Sequence, residues 1–297
     1  VMESPTFYTV SPLNGKERTL IPHAKGQLIS VVSNVQKSDP RINTEEGQAT
    51  DDVLMSQKES LLYYITMVND VYAQFLTGVK TKQLIGNEFP TTQKSLDSIV
   101  DFASSQGVIL KNAEALAIEI KTSWVDASTI LDTSTYITID AIVPTYNKTD
   151  KVWTLNSSET IKLAMVGMHV VGSTSGHPEL VWATFEHKDN APNLEYTYID
   201  SSNQTKTIPA DTGNDWLLNN DTASNIYNKS HMKFSNDSII ARENHIISAS
   251  NTKMTKPWGV ANAGVPNPEN SSVAASNSQI ISVNNSTLGQ LISGDKR

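Results

Sequence analysis

The segment 161–192 constrains the fold more than any other, because it is the most apolar part of an otherwise polar chain. Residues 163–171 form a nearly continuous apolar run, and residues 180–187 form a second run of β-branched and aromatic residues. The turn-forming sequence Ser173-Thr174-Ser175-Gly176 separates the two runs. This pattern predicts two strands joined by a loop. Because runs of this kind are usually buried on both faces, we expect both strands to be central in a sheet.

Short apolar segments separated by turn signals predict further strands along the chain. We place them at 116–124, 136–143, 151–155, 194–200 and 204–208, with a turn at Pro144-Thr145-Tyr146-Asn147. Helical spacing predicts helices at 69–78 and 92–104, and short helices within 239–248 and 279–292. The expected fold class is mainly β, with α+β as the alternative: an antiparallel β-sandwich or a barrel-like core with a few peripheral helices. We expect a single β-rich domain over residues 1–297, loop-rich from about residue 210 onward.

The absence of cysteine and the acidic balance narrow the function classes. The 297 residues include no cysteine, which rules out disulfides, thiolate metal sites and a cysteine nucleophile within them. The formal net charge is −8 without a Lys/Arg cluster, so nucleic-acid binding is not expected. No apolar window reaches the ~18 residues of a membrane helix. Neither a Gly-rich phosphate loop nor a Gly-x-Ser-x-Gly nucleophile motif is present.

A histidine and carboxylate set within 161–192 is the first candidate for chemistry. His169, His177, His187 and Asp189 offer ligands suited to a transition metal, with Glu186 beside them. Period two places Glu186 and His187 on opposite faces of their strand, so the two cannot readily share one ion. The favoured interpretation is that His169 and His187 are buried, hydrogen-bonded struts between strands, with metal binding or acid–base work as the alternative.

The strand at 116–124 supplies the second candidate. Ile118, Ile120, Thr122 and Trp124 share one face, whereas Glu119 and Lys121 share the other. Beside a neighbouring strand, these two charged residues could meet Glu186 or His169. Such a polar cluster is either a structural ion pair or a catalytic acid–base set, and the structural interpretation is favoured.

Several segments resemble a largely uncharacterised family of exported bacterial proteins often labelled "cytochrome c family protein". The resemblance lies in Tyr63-Tyr64, Val68-Asn69 and the segments 119–124, 166–171, 182–192 and 285–288. It implies a periplasmic or extracellular location and redox neighbours, and it supplies no catalytic residues. In the family, the last segment shortly precedes a Cys-x-x-Cys-His haem motif. Because this sequence has no cysteine, we expect a fragment, a processed form or a branch that lost the haem.

Three functions follow as hypotheses. The leading one is an exported, non-enzymatic binding or structural module that contacts a protein partner or a second copy of itself, next to a redox protein. It predicts no cofactor within the chain. The first alternative is a metal-dependent or acid–base enzyme that uses Glu119, Lys121, His169, Glu186 and His187. The second is carbohydrate binding through exposed Trp153, Trp216 and Trp258.

Overall fold

The computed structural model describes residues 4–11, 19–24, 26, 28–30, 53–86, 89, 92–175, 177–213, 215–220, 232–249 and 271–294. The chain divides into two compact units. The first comprises Val1–His187 and Ser230–Ala249, and the second comprises Lys188–Lys229 and Ser250–Arg297. The single-domain organisation stays a prediction.

Ten described strands of the first unit form one open sheet. They are β1 (Phe7–Val10), β2 (Leu20–Pro22), β3 (Ile29–Ser30), β4 (Tyr63–Asn69), β5 (Ile118–Asp126), β6 (Thr138–Lys148), β7 (Val152–Thr174), β8 (His177–Glu186), β11 (Met232–Ser235) and β12 (Ser238–Ala241). All pairings are antiparallel except the short parallel pairing of β3 with β6. This confirms the mainly-β, antiparallel fold class. The sheet is open rather than closed into a barrel, which agrees with the sandwich-like alternative.

Strand β7 is the central element of this sheet, because its 23 residues pair with two strands along each edge. Trp153 lies opposite Lys148 of β6 and Ile239 of β12. Further along, Gly167 lies opposite Ser123 of β5 and Glu186 of β8. The strands β12 and β5 therefore follow one edge of β7, while β6 and β8 follow the other. The predicted apolar run at 163–171 lies in the second half of this strand.

One large apolar core and one smaller core stabilise the first unit. The larger core includes fully buried Trp124 together with Ile65, Leu163, Met232 and Ile239. It lies on the face of β5 that the period-two pattern predicted to be apolar. The smaller core lies on the other side of β4 and holds the helices α1 (Asp70–Lys80) and α2 (Gln93–Ser105).

The two helices confirm the predicted positions, and the start of α1 is fixed by a side-chain cap. The Asn69 Oδ1 atom accepts from the backbone N–H of Tyr72 at 3.1 Å and from that of Ile118 at 3.1 Å. The Nδ2 group of Asn69 donates to the Leu116 carbonyl at 2.7 Å. One buried amide therefore joins the end of β4, the start of α1 and the start of β5.

The second unit contains a β-hairpin and a long helix. β9 (Tyr196–Ile199) pairs with β10 (Thr205–Ile208), as predicted. The helix α3 (Ser271–Gly294) contacts β9 through two side chains. Ser278 Oγ accepts from the Ile199 N–H at 2.7 Å, and Asn277 Nδ2 donates to the Thr197 carbonyl at 2.7 Å. No described helix is long and apolar enough to span a membrane.

Four local predictions are wrong. Residues 144–147 lie inside β6 instead of forming a turn, because they pair with residues 154–158 of β7 and stay extended despite their turn-forming composition. Residues 239–241 belong to β12, a strand too short for its periodicity to be read. β8 pairs with no described strand except β7, so it is not central. The fourth, a loop at 255–276, is wrong for residues 271–276, which begin the helix α3. The rest of that loop, and residues 221–229 of the loop predicted at 211–229, lie outside the described residues.

Candidate functional site

A row of polar side chains crosses four neighbouring strands on the face opposite the large core. Lys121 of β5 lies opposite Thr66 of β4 on one side and opposite His169 of β7 on the other. His169 in turn lies opposite Thr184 of β8. Side chains in directly opposed positions of an antiparallel pair are about 5 Å apart at Cβ, so these four residues form a continuous row.

Two residues of this row, Lys121 and His169, are shielded from solvent to different degrees. Lys121 is 5% exposed, and His169 is half-buried. The Nδ1 atom of His169 is hydrogen-bonded to the Thr184 hydroxyl at 2.9 Å. Burial lowers the pKa of His169, and the Lys121 ammonium lowers it further, while the Glu186 carboxylate acts in the opposite direction. The structure therefore favours a neutral imidazole next to a buried ammonium.

Glu119 lies two residues before Lys121 on the same face of β5, opposite Val68 and Val171. Glu119 is half-buried as a residue, and burial raises the pKa of its carboxyl group to about 7, although the Lys121 ammonium acts to lower it. Tyr72 of α1 is close enough that the Glu119 charge contributes to raising the tyrosine pKa, after burial, which is the larger cause. A carboxyl group that titrates near neutral pH beside a buried amine is able to exchange a proton at physiological pH.

The structure brings some of the predicted site residues together and separates others. Glu119, Lys121, His169 and Glu186 interact electrostatically on one face of the sheet. His187 follows β8 on the opposite face, where its ring stacks on Tyr136 with centroids 3.6 Å apart and its Nε2 lies 3.4 Å from the Thr135 hydroxyl. The strut interpretation of His187 is consistent with these contacts.

The remaining proposed metal ligands lie elsewhere. His177 is at the far end of β8, paired with Thr174. Asp189 belongs to the second unit, where its carbonyl accepts from the Leu217 N–H at 2.9 Å. Among the described residues, no group of three or more His, Asp or Glu side chains is arranged to hold a metal ion. The metal site stays a prediction.

The most unusual surface of the first unit is β8 itself. Four large apolar side chains of this ten-residue strand are exposed: Leu180 by 46%, Val181 by 55%, Trp182 by 44% and Phe185 by 37%. They occupy both faces of the strand, since Val181 and Phe185 alternate with Leu180 and Trp182. Apolar groups concentrated on a strand that pairs with only one described strand mark a contact surface, because natural sheets normally protect such edges.

Sequence reasoning identified Glu119, Lys121 and His169 but missed Thr184, Tyr72 and the exposed edge. Thr184 follows from the register of β8 on β7, which a single sequence does not contain. Tyr72 faces Glu119 only because α1 returns over the sheet. One feature of the sequence does indicate the edge. Pro178 lies near the start of β8, and proline in a strand is typical of an edge strand.

Two of the tryptophans proposed for carbohydrate binding, Trp153 and Trp216, belong to different units. Trp153 is partly buried against the large core, with the Lys148 Nζ atom 4.3 Å from its ring centroid. Trp216 is half-buried in the second unit, where its Nε1–H donates to the Gly213 carbonyl at 3.2 Å. Trp258 lies outside the described residues. Carbohydrate binding stays a prediction.

Comparisons with protein-family models, with curated proteins and with solved structures find no match for this chain. The family resemblance, the exported location and the redox neighbour therefore stay predictions.

Proposed function

We propose that this chain is a non-enzymatic protein-binding module that uses β8 as its contact strand. The exported location and the redox neighbour suggested by the sequence belong to the same proposal. The observation that carries it is the exposure of Leu180, Val181, Trp182 and Phe185 on a strand that has one described neighbour. A partner strand added at this edge would gain backbone hydrogen bonds and bury apolar groups on both faces.

The test compares the mass of the intact protein in three forms purified gently from the native source. The forms are the wild type, the edge variant Val181→Lys, and the control Leu131→Lys. Leu131 is a fully exposed apolar residue outside the strands, so the control adds the same charge elsewhere. We expect native mass spectrometry to show a stoichiometric protein partner, either another chain or a second copy, on the wild type and the control. The edge variant should lack it.

A monomer in all three forms would overturn the proposal, as would a partner retained by Val181→Lys. Metal content and a visible absorption spectrum are recorded on the same wild-type sample. A stoichiometric transition metal together with measurable turnover would also overturn the non-enzymatic proposal.

The acid–base enzyme is the second candidate, and the raised pKa of Glu119 beside buried Lys121 favours it. It requires that a small substrate reach the Lys121 amine. Lys188 has a side chain that is 77% exposed and serves as an internal control. If this face is a working site, a small amine-modifying reagent should label Lys121 at a rate comparable to that of Lys188. Protection of Lys121 by orders of magnitude in the folded protein would remove this candidate.

A further inference from the structure

The backbone geometry of β8 defines which groups are available for a new strand. The His187 N–H donates to the Val166 carbonyl at 3.0 Å, so position 187 forms a hydrogen-bonded pair with β7. Backbone groups alternate in direction along an antiparallel strand. The N–H and C=O groups of Val181, Ala183 and Phe185 therefore point toward β7. Those of Leu180, Trp182, Thr184 and Glu186 point toward the edge that no described strand occupies.

We propose that the occupant of this edge is a second copy of the chain, paired antiparallel through β8 about a two-fold axis at Ala183. This inference rests on the proposed function and specifies its partner. Outward-pointing residues must face outward-pointing residues in an antiparallel ladder, which limits a two-fold pairing to registers centred on a residue. Among these, the register centred on Ala183 fits the sequence of β8.

Side-chain positions on the face of Val181 and Phe185 are complementary in this register. Val181 lies opposite Phe185 of the second copy, and the reciprocal pair repeats the contact, so the exposed apolar groups of that face cover one another. These are non-hydrogen-bonded positions, where side chains are closest. Ala183 meets itself at the axis, where a small side chain permits close approach. On the other face, Trp182 lies opposite Thr184 of the second copy.

Proline and charge select the same register. Centring the pairing on Val181 or Trp182 would place Pro178 at a position that must donate an N–H, which proline lacks. Centring on Ala183 leaves Pro178 outside the paired positions 180–186. The two Glu186 residues are then six positions apart along the strands, about 20 Å, which exceeds the ~8 Å screening length at physiological salt.

The test exploits the pairing of position 181 with position 185. Molar mass is measured by analytical ultracentrifugation for the wild type, Val181→Lys, Phe185→Glu, an equimolar mixture of these two variants, and the control Leu131→Lys. We expect dimers for the wild type and the control, and monomers for each edge variant alone, because each buries an uncompensated charge. The mixture should restore dimers, since the introduced ammonium and carboxylate then face each other at one pair while Val181 faces Phe185 at the other.

A monomeric wild type, dimers that persist in both edge variants, or a mixture that stays monomeric would each overturn the inference. Near-ultraviolet circular dichroism on every variant shows that the first unit remains folded. If the wild type is monomeric alone but carries a different protein that Val181→Lys loses, the proposed function stands and the second copy is excluded. If neither partner is found, both fail.

Discussion

At the scale of single residues, the hydroxyl of Tyr64 is an unfavourable group in the interior. Tyr64 of β4 is 2% exposed, and its hydroxyl has no hydrogen-bond partner among the described residues. Burial raises its pKa, so the group is neutral at physiological pH. An unsatisfied buried polar group costs about 1–3 kcal/mol. We therefore expect Tyr64→Phe to increase the free energy of unfolding by about 1 kcal/mol in urea titrations.

Tyr64→Leu is the matched comparison, because it also removes the hydroxyl but leaves a void where the ring was. That variant should be less stable than Tyr64→Phe by about 1–3 kcal/mol. A loss of stability in Tyr64→Phe would show that the hydroxyl has a partner.

The protonation of Glu119 makes stability depend on pH. Its pKa in the folded protein is about 7, compared with 4.5 for an unperturbed glutamate. Between these values the folded state holds a proton that the unfolded state has lost, so this group's contribution to stability falls as pH rises through the window. Relative to wild type, Glu119→Gln should gain stability progressively from about pH 4.5 to 7 and then level off.

His169 has the opposite effect on how stability changes with pH. Its lowered pKa means that the folded state binds fewer protons than the unfolded state, so its contribution to stability rises as pH rises toward 6.5. The stability of His169→Asn relative to wild type should therefore fall with pH in that range. Chemical unfolding at several pH values measures both differences. Parallel curves for wild type and Glu119→Gln would contradict the assignment.

At the scale of the elements, Gly78 shows how helix α1 meets the turn that follows it. Its backbone carbonyl accepts from the N–H groups of Gln83 and Leu84 at 2.9 and 3.0 Å. A Cβ atom on Gly78 would lie 2.5 Å from Leu84 Cδ1 and 2.6 Å from Leu84 Cγ. In a helix interior, alanine is more favourable than glycine by about 1 kcal/mol. The steric overlap with Leu84 outweighs this gain. We expect Gly78→Ala to lower the free energy of unfolding by about 1–3 kcal/mol.

The double variant Gly78→Ala/Leu84→Ala separates the two effects. Gly78→Ala should lower the free energy of unfolding less in the Leu84→Ala background than in the wild type, because Leu84→Ala removes the atoms that the new Cβ would overlap. Ser98→Ala, at an exposed position of α2, should change stability by less than about 0.5 kcal/mol. An additive cycle would show that Leu84 is not the cause.

The elements that could be predicted from the sequence are those with local signals. Asn69 and Thr92 precede helical spacing, and both helices begin directly after them. Gly78 resembled a helix end, yet the helix continues to Lys80, because the glycine is required for the approach of Leu84 and not for a cap. The faces of β5 followed from period two, so Glu119 and Lys121 were found. The register that joins Lys121 to His169 and Thr184 is set by pairing across 48 and 15 positions of sequence, which no local pattern contains.

At the scale of the whole molecule, the first unit includes the segment Ser230–Ala249, which follows the first segment of the second unit in the chain. Met232 and Ile239 are completely buried in its large core, and the Val53 N–H donates to the Met232 carbonyl at 3.4 Å. β12 also pairs with β7 near Trp153. Removing two buried side chains of this size costs on the order of 5 kcal/mol, comparable with the total stability of many domains.

A chain that ends at residue 229 should therefore lose the cooperative unfolding of the first unit, whereas a chain that ends at residue 249 should keep it. Thermal unfolding followed by near-ultraviolet circular dichroism tests this, with hydrogen exchange of β5 amides around buried Trp124 as a local reporter. The longer chain is the control, because it retains β11 and β12 but lacks α3. A transition at the same temperature in both would show that β11 and β12 only cover the core. Loss of the transition only in the shorter chain would show that β11 and β12 complete the large core. Folding of the sheet would then require strands from beyond residue 229.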